Sequence, residues 1–167
     1  MLNIYGKYTP VLDKLLKQMT EQFTTLNQNY EKTHHERLYE HLRGRVKNEE
    51  SMEEKCRQKG LPLTPNSALR ETEIALDYVL SATLSMIFIL VLLRLKKWDN
   101  VTVVKEKDYI TNTKPNGYRS YHMILDITVP EQDVDGNIPG HYFVEIQLRT
   151  IAMDTWASLE HEMKYKH

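Results

Sequence analysis

The sequence has almost no cysteine. A single residue, Cys56, stands in 167, which excludes an intramolecular disulfide and fits a reducing compartment. With no Cys/His set at metal spacing around it, structural zinc is excluded as well. Net charge is also nearly absent: 22 Lys and Arg against 23 Asp and Glu leave −1. No global field therefore draws the protein to nucleic acid or anionic lipid, and any polyanion site must come from local clustering of basic side chains. The start of the chain has no basic stretch leading into an apolar run, so no secretory signal is expected and the expected location is cytoplasmic. Internal repeats and low-complexity tracts are missing too. What is present is ordinary for one soluble domain, with 41% hydrophobic and 27% charged residues.

Apolar periodicity supplies the elements. Leu12, Leu15, Leu16, Met19, Phe23, Leu26 and Tyr30 recur at three- and four-residue steps, which predicts a long helix over about Thr9–Tyr39. Arg43 to Lys47 reads as a short basic strand or turn. Ser51 followed by Glu54 is a capping-box pattern that opens a second helix, closed by Gly60, with Pro62 and Pro65 marking a loop. Strand patterns follow at Val101–Tyr109, Tyr118–Val129 and His141–Arg149. The turn residues at 133–137 predict that the last two strands pair antiparallel. Ala152, Trp156, Leu159 and Met163 predict a closing amphipathic helix. Helices flanking a mixed sheet with an antiparallel hairpin make an α+β fold.

One segment stands apart. Leu76 to Leu93 is almost unbroken apolar sequence with Asp77 as its one charge, close to the roughly 18 residues that a membrane-spanning helix needs. Its soluble surroundings oppose a span, so no membrane is expected; a membrane-anchored protein spanning at 76–93 is the lesser alternative.

The period-two rule puts His141, Phe143, Glu145, Gln147 and Arg149 on one face of the last strand, and Val144, Ile146 and Leu148 on the core face. Tyr118, Ser120 and His122 share a face of the strand before it. Lys114 supplies a point charge suited to phosphate. Pro115, Asn116 and Gly117 make a tight turn, and Tyr118 then offers a flat ring on which a base can stack. Upstream, Arg45 and Lys47 share one side of an extended segment. Ser51 and Lys55 share one side of the following helix, near its N-terminus, where a triphosphate is well held. A solvated polar face, a plain turn and scattered surface cations are the bland readings of these three features.

Taken in order and spacing, these pieces resemble the synthetase domain of the RelA/SpoT family, in particular a small alarmone synthetase. The residues that carry the resemblance are Arg45-Val46-Lys47 with Ser51 and Lys55, Lys107-Asp108-Tyr109-Ile110, Lys114 through His122, Val144 through Thr150, and Ala152 through His161. It covers about Leu12–Arg70 and Lys96–His167. The resemblance implies one nucleotidyltransferase-like synthetase domain over 1–167, with a helical region at 1–42 and a nucleotide-binding sheet with helices at 43–167. It implies a GTP diphosphokinase that moves the β,γ-pyrophosphate of ATP to the 3′-hydroxyl of GDP or GTP, giving ppGpp or pppGpp. On the matching positions, Arg45, Lys47, Ser51 and Lys55 hold ATP. Lys114, Asn116, Tyr118, His122 and Gln147 form the acceptor-nucleotide site, with Tyr118 against guanine. Glu145 activates the 3′-hydroxyl and binds Mg²⁺. No His-Asp hydrolase pattern precedes this segment, so synthesis without a paired hydrolase is expected.

The sequence departs from the family between the two matching stretches. The family places an Asp-x-x-Gly-x-Arg strand just after the position of Arg70, its Asp being the second magnesium ligand, whereas this chain reads Glu71-Thr72-Glu73-Ile74-Ala75-Leu76-Asp77-Tyr78. A reading-frame change over about 71–94 would account for it, because plausible codons for Leu76–Ala82 read in another frame give Gly-Leu-Arg-Val-Ile-Cys. On this view Glu73 is the nearest substitute carboxylate and Asp77 the next, and the altered segment is expected to leave sheet partners unpaired. Family members also form homotetramers through further C-terminal helix, which a chain stopping at His167 is not expected to supply. The alternative function is a catalytically impaired remnant of the fold that binds nucleotide or single-stranded RNA.

Overall fold

The apolar stripe of the first helix forms one wall of the core. In the computed structural model, which describes residues 3–72, 74–82, 94–112, 115, 119–155 and 159, α1 spans Thr9–His34 and buries Leu12, Leu15, Met19, Phe23 and Tyr30. It stops at His34 rather than near Tyr39. His35 turns left-handed, with φ 57°, and the Asn27 side chain then accepts the Leu38 N–H at 2.7 Å and donates to the Tyr39 carbonyl at 3.1 Å. Leu38 and Tyr39 are thereby buried outside any helix.

The basic stretch is a strand, β1, over His41–Val46. The next helix, α2, spans Glu49–Gln58. Its cap is Asn48 rather than the expected Ser51: the Asn48 side chain accepts the Ser51 N–H at 2.8 Å, which puts Ser51 inside the first turn. Gly60 ends the helix as expected. At φ 68° it lets its own N–H reach the Arg57 carbonyl and the Leu61 N–H reach that of Cys56, at 3.1 and 2.8 Å. One π-helical turn, Ser67–Glu71, leads into the sheet.

The remaining strands are β2 Leu76–Ala82, β3 Val101–Asp108, β4 Tyr121–Val129 and β5 Gly140–Thr150. They form one five-stranded sheet in the order β1-β2-β5-β4-β3. The β2–β5 pair is parallel, and the other three pairs are antiparallel. The hairpin expected between the last two strands is therefore present, and the fold is the α+β arrangement the pattern implied.

The apolar segment at 76–93 is corrected by this sheet. Its first part is β2, paired with β5 along its whole length and with β1 from Leu76 to Ser81, so it is neither a membrane helix nor a strand with lost partners. Alternation explains this outcome. Leu76, Tyr78, Leu80 and Ala82 are buried on the helix side, leaving Asp77, Val79 and Ser81 for the other face. Among the described residues no helix is long and apolar enough to cross a membrane; residues 83–93 lie outside them.

The core lies between α1 and one sheet face. Met123, Leu125, Ile127, Tyr142, Val144, Ile146 and Leu148 meet the helix stripe there, each almost fully buried. Burial of each such side chain is worth about 1.5–3 kcal/mol. Phe23 stacks at a tilt on Tyr78 and Trp98, with centroids 5.3 and 5.4 Å away. The Tyr78 hydroxyl donates to the Leu16 carbonyl. Gly44 on β1 lies directly beneath Tyr78, where a Cβ would stand 2.3 Å from the ring. The ring needs that space, and only glycine leaves it.

Candidate active site

The face of the sheet turned away from α1 carries the charged and polar residues. Register fixes which of them are neighbours. Arg45, Asp77, Glu145, Ile124 and Lys105 form one row across β1, β2, β5, β4 and β3. Arg43, Val79, Gln147, His122 and Lys107 form the next. Asp77 and Glu145 are partners on parallel strands, roughly 4.8 Å apart in the hydrogen-bonding direction. Their side chains keep 21% and 20% exposure, dry enough to strengthen charge interactions yet open to a ligand.

The contacts along this face are specific. Arg45 reaches Asp77 with Nε at 3.1 Å and Nη2 at 3.4 Å. His122 Nδ1 stands 3.8 Å from Glu145 Oε2, and its ring meets Tyr109 edge-on at 5.1 Å. Gln147 Nε2 donates to Glu145 Oε1 at 2.6 Å, and Gln147 Oε1 accepts from Arg149 Nη2 at 2.6 Å. Arg149 Nη1 donates to Asp154 Oδ1 at 3.1 Å. Asp154 also takes Arg43 Nη2 at 2.5 Å and the Ser81 hydroxyl at 3.2 Å. Farther along, His141 Nδ1 meets Asp126 at 2.9 Å, and the Arg70 guanidinium lies 5.1 Å from the Phe143 ring.

The structure thus brings His122, Glu145, Gln147 and Arg149 onto one surface, as the strand pattern predicted, and adds Arg45 from β1 through its pairing with Asp77. Lys47 follows the end of β1, where its N–H bonds the Ala75 carbonyl and its carbonyl accepts the Tyr5 hydroxyl at 2.5 Å. Ser51 and Lys55 are in the α2 helix that starts immediately afterwards. Ser120 departs from the prediction: it precedes β4, is fully buried, and donates its hydroxyl to the Leu148 carbonyl at 3.4 Å, so it is not presented on the open face.

Lys114, Asn116, Gly117, Tyr118 and Glu73 lie outside the described residues. The roots of the loop that holds four of them are well defined. The Tyr109 N–H bonds the Ser120 carbonyl at 2.9 Å. Asp108 accepts the Ile110 and Thr111 N–H groups at 2.9 Å each. The N–H of Thr111 is the main reason its carboxyl is held below the usual carboxylate range. The loop between β3 and β4 therefore starts and ends next to His122.

Asp77, Ser81, Arg149 and Asp154 gain importance from the fold. Period-two spacing already put Arg149 on this face. Asp154 was legible only as a first-turn helical residue: residues 151–155 are helical and Thr150 caps them, its hydroxyl accepting the Met153 N–H at 3.2 Å. The chemistry available is that of a carboxylate pair among guanidinium and imidazole groups. It can take a proton from an alcohol, offer hard oxygens to a divalent cation, and neutralise a polyphosphate. No group of three or more His, Cys, Asp or Glu residues among those described forms a ready metal cage. A cleft of about 590 Å³, lined by Gln22, Trp98, Asn100 and Ile127 among others, opens beside α1; the chemistry-bearing residues lie on an open sheet.

Comparison with known proteins points the same way. The family described as "Region found in RelA / SpoT proteins" matches residues 44–167. The GTP pyrophosphokinase YwaC of Bacillus subtilis (strain 168) is 38% identical over 152 residues, covering 90% of this chain and 70% of its own. The GTP pyrophosphokinase YjbM of the same strain is 38% identical over 128 residues, covering 77% of this chain and 57% of its own. Among solved structures, small alarmone synthetase 1 from Bacillus subtilis bound to its product pppGpp superposes with a TM-score of 0.80 at 30% identity, over 95% of this chain and 79% of that one.

Proposed function

The chain belongs to the RelA/SpoT family, and we infer that it is a GTP pyrophosphokinase of the small alarmone synthetase type. It moves the β,γ-pyrophosphate of ATP to the 3′-hydroxyl of GDP or GTP, leaving AMP and making ppGpp or pppGpp. The observation that carries this reading at residue level is the position of Glu145. It stands in the middle of the open face, with Asp77 as its partner on one neighbouring strand and the His122 ring of the other strand 3.8 Å from its Oε2.

In the proposed mechanism Glu145 accepts the proton of the attacking 3′-hydroxyl, because an alcohol becomes an adequate nucleophile only as that proton leaves. Arg45 with Lys47, Ser51 and Lys55 holds the ATP phosphates, Arg45 from the sheet and the others from the β1–α2 junction. Tyr118 stacks on guanine, while Lys114, Asn116, His122 and Gln147 complete the acceptor side. Positioning and charge neutralisation supply most of the rate in phosphoryl-type transfer, so an open face ringed by cations suits the reaction.

Magnesium fits the residues present. Glu145 and Asp77 offer hard carboxylate oxygens from adjacent strands in register, the donor type this ion takes. Asp77 replaces Glu73 as the preferred second ligand, since its partner in the sheet is Glu145 itself. When bound, the ion neutralises charge on the transferring polyphosphate. The buried thiol of Cys56 agrees with a cytoplasmic location.

The test is direct. Purified protein with ATP, GDP or GTP, and Mg²⁺ should form a guanosine nucleotide pyrophosphorylated at the 3′ position. A second reading, nucleotide binding without transfer, draws on the Arg45–Asp77 pair, which ties a phosphate-binding cation to a candidate metal ligand. Measurable binding of both nucleotides with no product would favour it.

A further inference from the structure

We propose that Arg149 and Asp154 are positioning residues for the transfer reaction, acting through Gln147 on the carboxylate of Glu145. The proposal rests on the reading of Glu145 as the base and deepens it. Its basis is a continuous chain of hydrogen bonds: Asp154 Oδ1 accepts Arg149 Nη1, Arg149 Nη2 donates to Gln147 Oε1, and Gln147 Nε2 donates to Glu145 Oε1, at 3.1, 2.6 and 2.6 Å.

Chemistry gives this chain one direction. A guanidinium only donates and an ionised carboxylate only accepts. Arg149 therefore claims the oxygen of the Gln147 amide, and the amide NH₂ must turn towards Glu145. Flipping the amide would set N–H against N–H at one end and oxygen against oxygen at the other. Arg149 thus decides that Glu145 Oε1 is held by a donor, which leaves Oε2, on the His122 side, as the oxygen presented to a reacting hydroxyl.

Asp154 fixes Arg149 in turn. It is anchored from two other strands, by Ser81 of β2 and Arg43 of β1. Arg149 and Asp154 keep only 12% and 17% side-chain exposure, so water competes weakly for these bonds and their geometry is well defined. The helical turn at 151–155 is thereby coupled to the orientation of Glu145 across two intervening side chains.

The experiment is steady-state synthesis with ATP and the acceptor varied separately, together with thermal melting of each variant. Arg149→Met should lower kcat about 10- to 100-fold, the usual effect of removing an orienting partner, with both KM values within about twofold. Gln147→Met should lower kcat over the same range and also raise the acceptor KM, because Gln147 belongs to the acceptor side as well. The double variant should be no slower than the worse single one, because both cut the same chain. Asp154→Ala should resemble Arg149→Met, whereas Asp154→Asn, which keeps an acceptor oxygen, should recover most of the rate. Where Arg149→Met does not fold, Arg149→Lys serves, because an ammonium cannot engage two partners through a planar fork. A readout without turnover is Mn²⁺ binding in the presence of a non-hydrolysable ATP analogue, expected to weaken over the same range. Normal kcat in folded variants, fully multiplicative effects, or a raised acceptor KM at unchanged kcat would each overturn the proposal. Glu145→Gln separates the two readings: an active Glu145→Gln removes the base assignment, while an inactive one beside normal Arg149 and Gln147 variants removes the positioning chain alone.

Discussion

Asp77 and Glu145 are direct partners on the parallel strands β2 and β5, two carboxylates of one open sheet face brought together from positions far apart in sequence. The relationship matters because the segment around Asp77 is where the sequence lacks the Asp-x-x-Gly-x-Arg pattern that the resemblance led one to expect. The departure has not cost the sheet a strand, and a carboxylate still stands beside Glu145.

The first expectation concerns Glu145 itself. Glu145→Gln keeps the shape and the bond from Gln147 but cannot take a proton. Synthesis should fall by about 10²–10⁴, the range for a lost general base, while the melting temperature moves little because the side chain lies on the polar face. Rate assays and a thermal melt on the same preparation decide it.

Asp77→Asn probes the second carboxylate. The Mg²⁺ concentration for half-maximal rate should rise about tenfold or more, with ATP affinity in the absence of metal unchanged or improved, since Arg45 would lose its charged partner. An unchanged magnesium requirement would return the second ligand to another residue.

For Tyr118→Ala, the acceptor side should weaken and the donor side should not. Loss of a stacking platform is worth on the order of 1–3 kcal/mol, which equilibrium binding of GDP or GTP would register as a higher Kd at constant ATP affinity.

Gly44→Ala tests the packing of β1 under Tyr78. A methyl group would stand 2.3 Å from the ring, so the ring or the strand must move, at a cost of about 1–3 kcal/mol. Urea denaturation should show a lower midpoint. Pairing the change with Tyr78→Leu should restore part of the loss, which a mere propensity effect would not do.

Stability should fall at both ends of the pH scale for identifiable reasons. Burial acts to raise the Asp133 pKa, but the N–H groups of His141, Asn137 and Asp135 and the Asn137 amide outweigh it and hold the carboxyl below its ordinary value. Its unfolded pKa is near 3.9, so its contribution is present above that value and is lost as pH falls through the lower folded pKa. Tyr142 behaves oppositely. Desolvation pushes its hydroxyl up to about 12, so its contribution is complete below the unfolded value of about 10 and is lost as pH rises through about 12. Urea midpoints measured against pH should show a shallower acid limb for Asp133→Asn and a shallower alkaline limb for Tyr142→Phe.

Much of this was legible in the chain because it depends on local repetition. The three- and four-residue steps from Leu12 to Tyr30 made α1, and the two-residue step from His141 to Arg149 made β5 with Glu145, Gln147 and Arg149 on one side. Gly60 closed α2 because its backbone tolerates positive φ. The cap of that helix was misplaced because Asn48 and Ser51 can both serve, and only the path of the chain out of β1 selects Asn48. The apolar run at 76–93 was ambiguous for a similar reason: length alone favours a span, and alternation within Leu76–Ala82 becomes meaningful only once strands stand on both sides.

The sequence by itself determined the helix stripe, the polar face of the last strand and the residue types needed for polyphosphate chemistry, since each follows from the periodicity of one element. Which residues meet was decided by tertiary structure alone. Asp77 lies beside Glu145, Arg45 beside Asp77, and Asp154 beneath Arg43 and Arg149 because β2 is inserted between β1 and β5 in one particular register. Register between distant strands is a property of the packed core, where moving β2 by one residue would turn Tyr78 out to solvent and Asp77 into the hydrophobic interior.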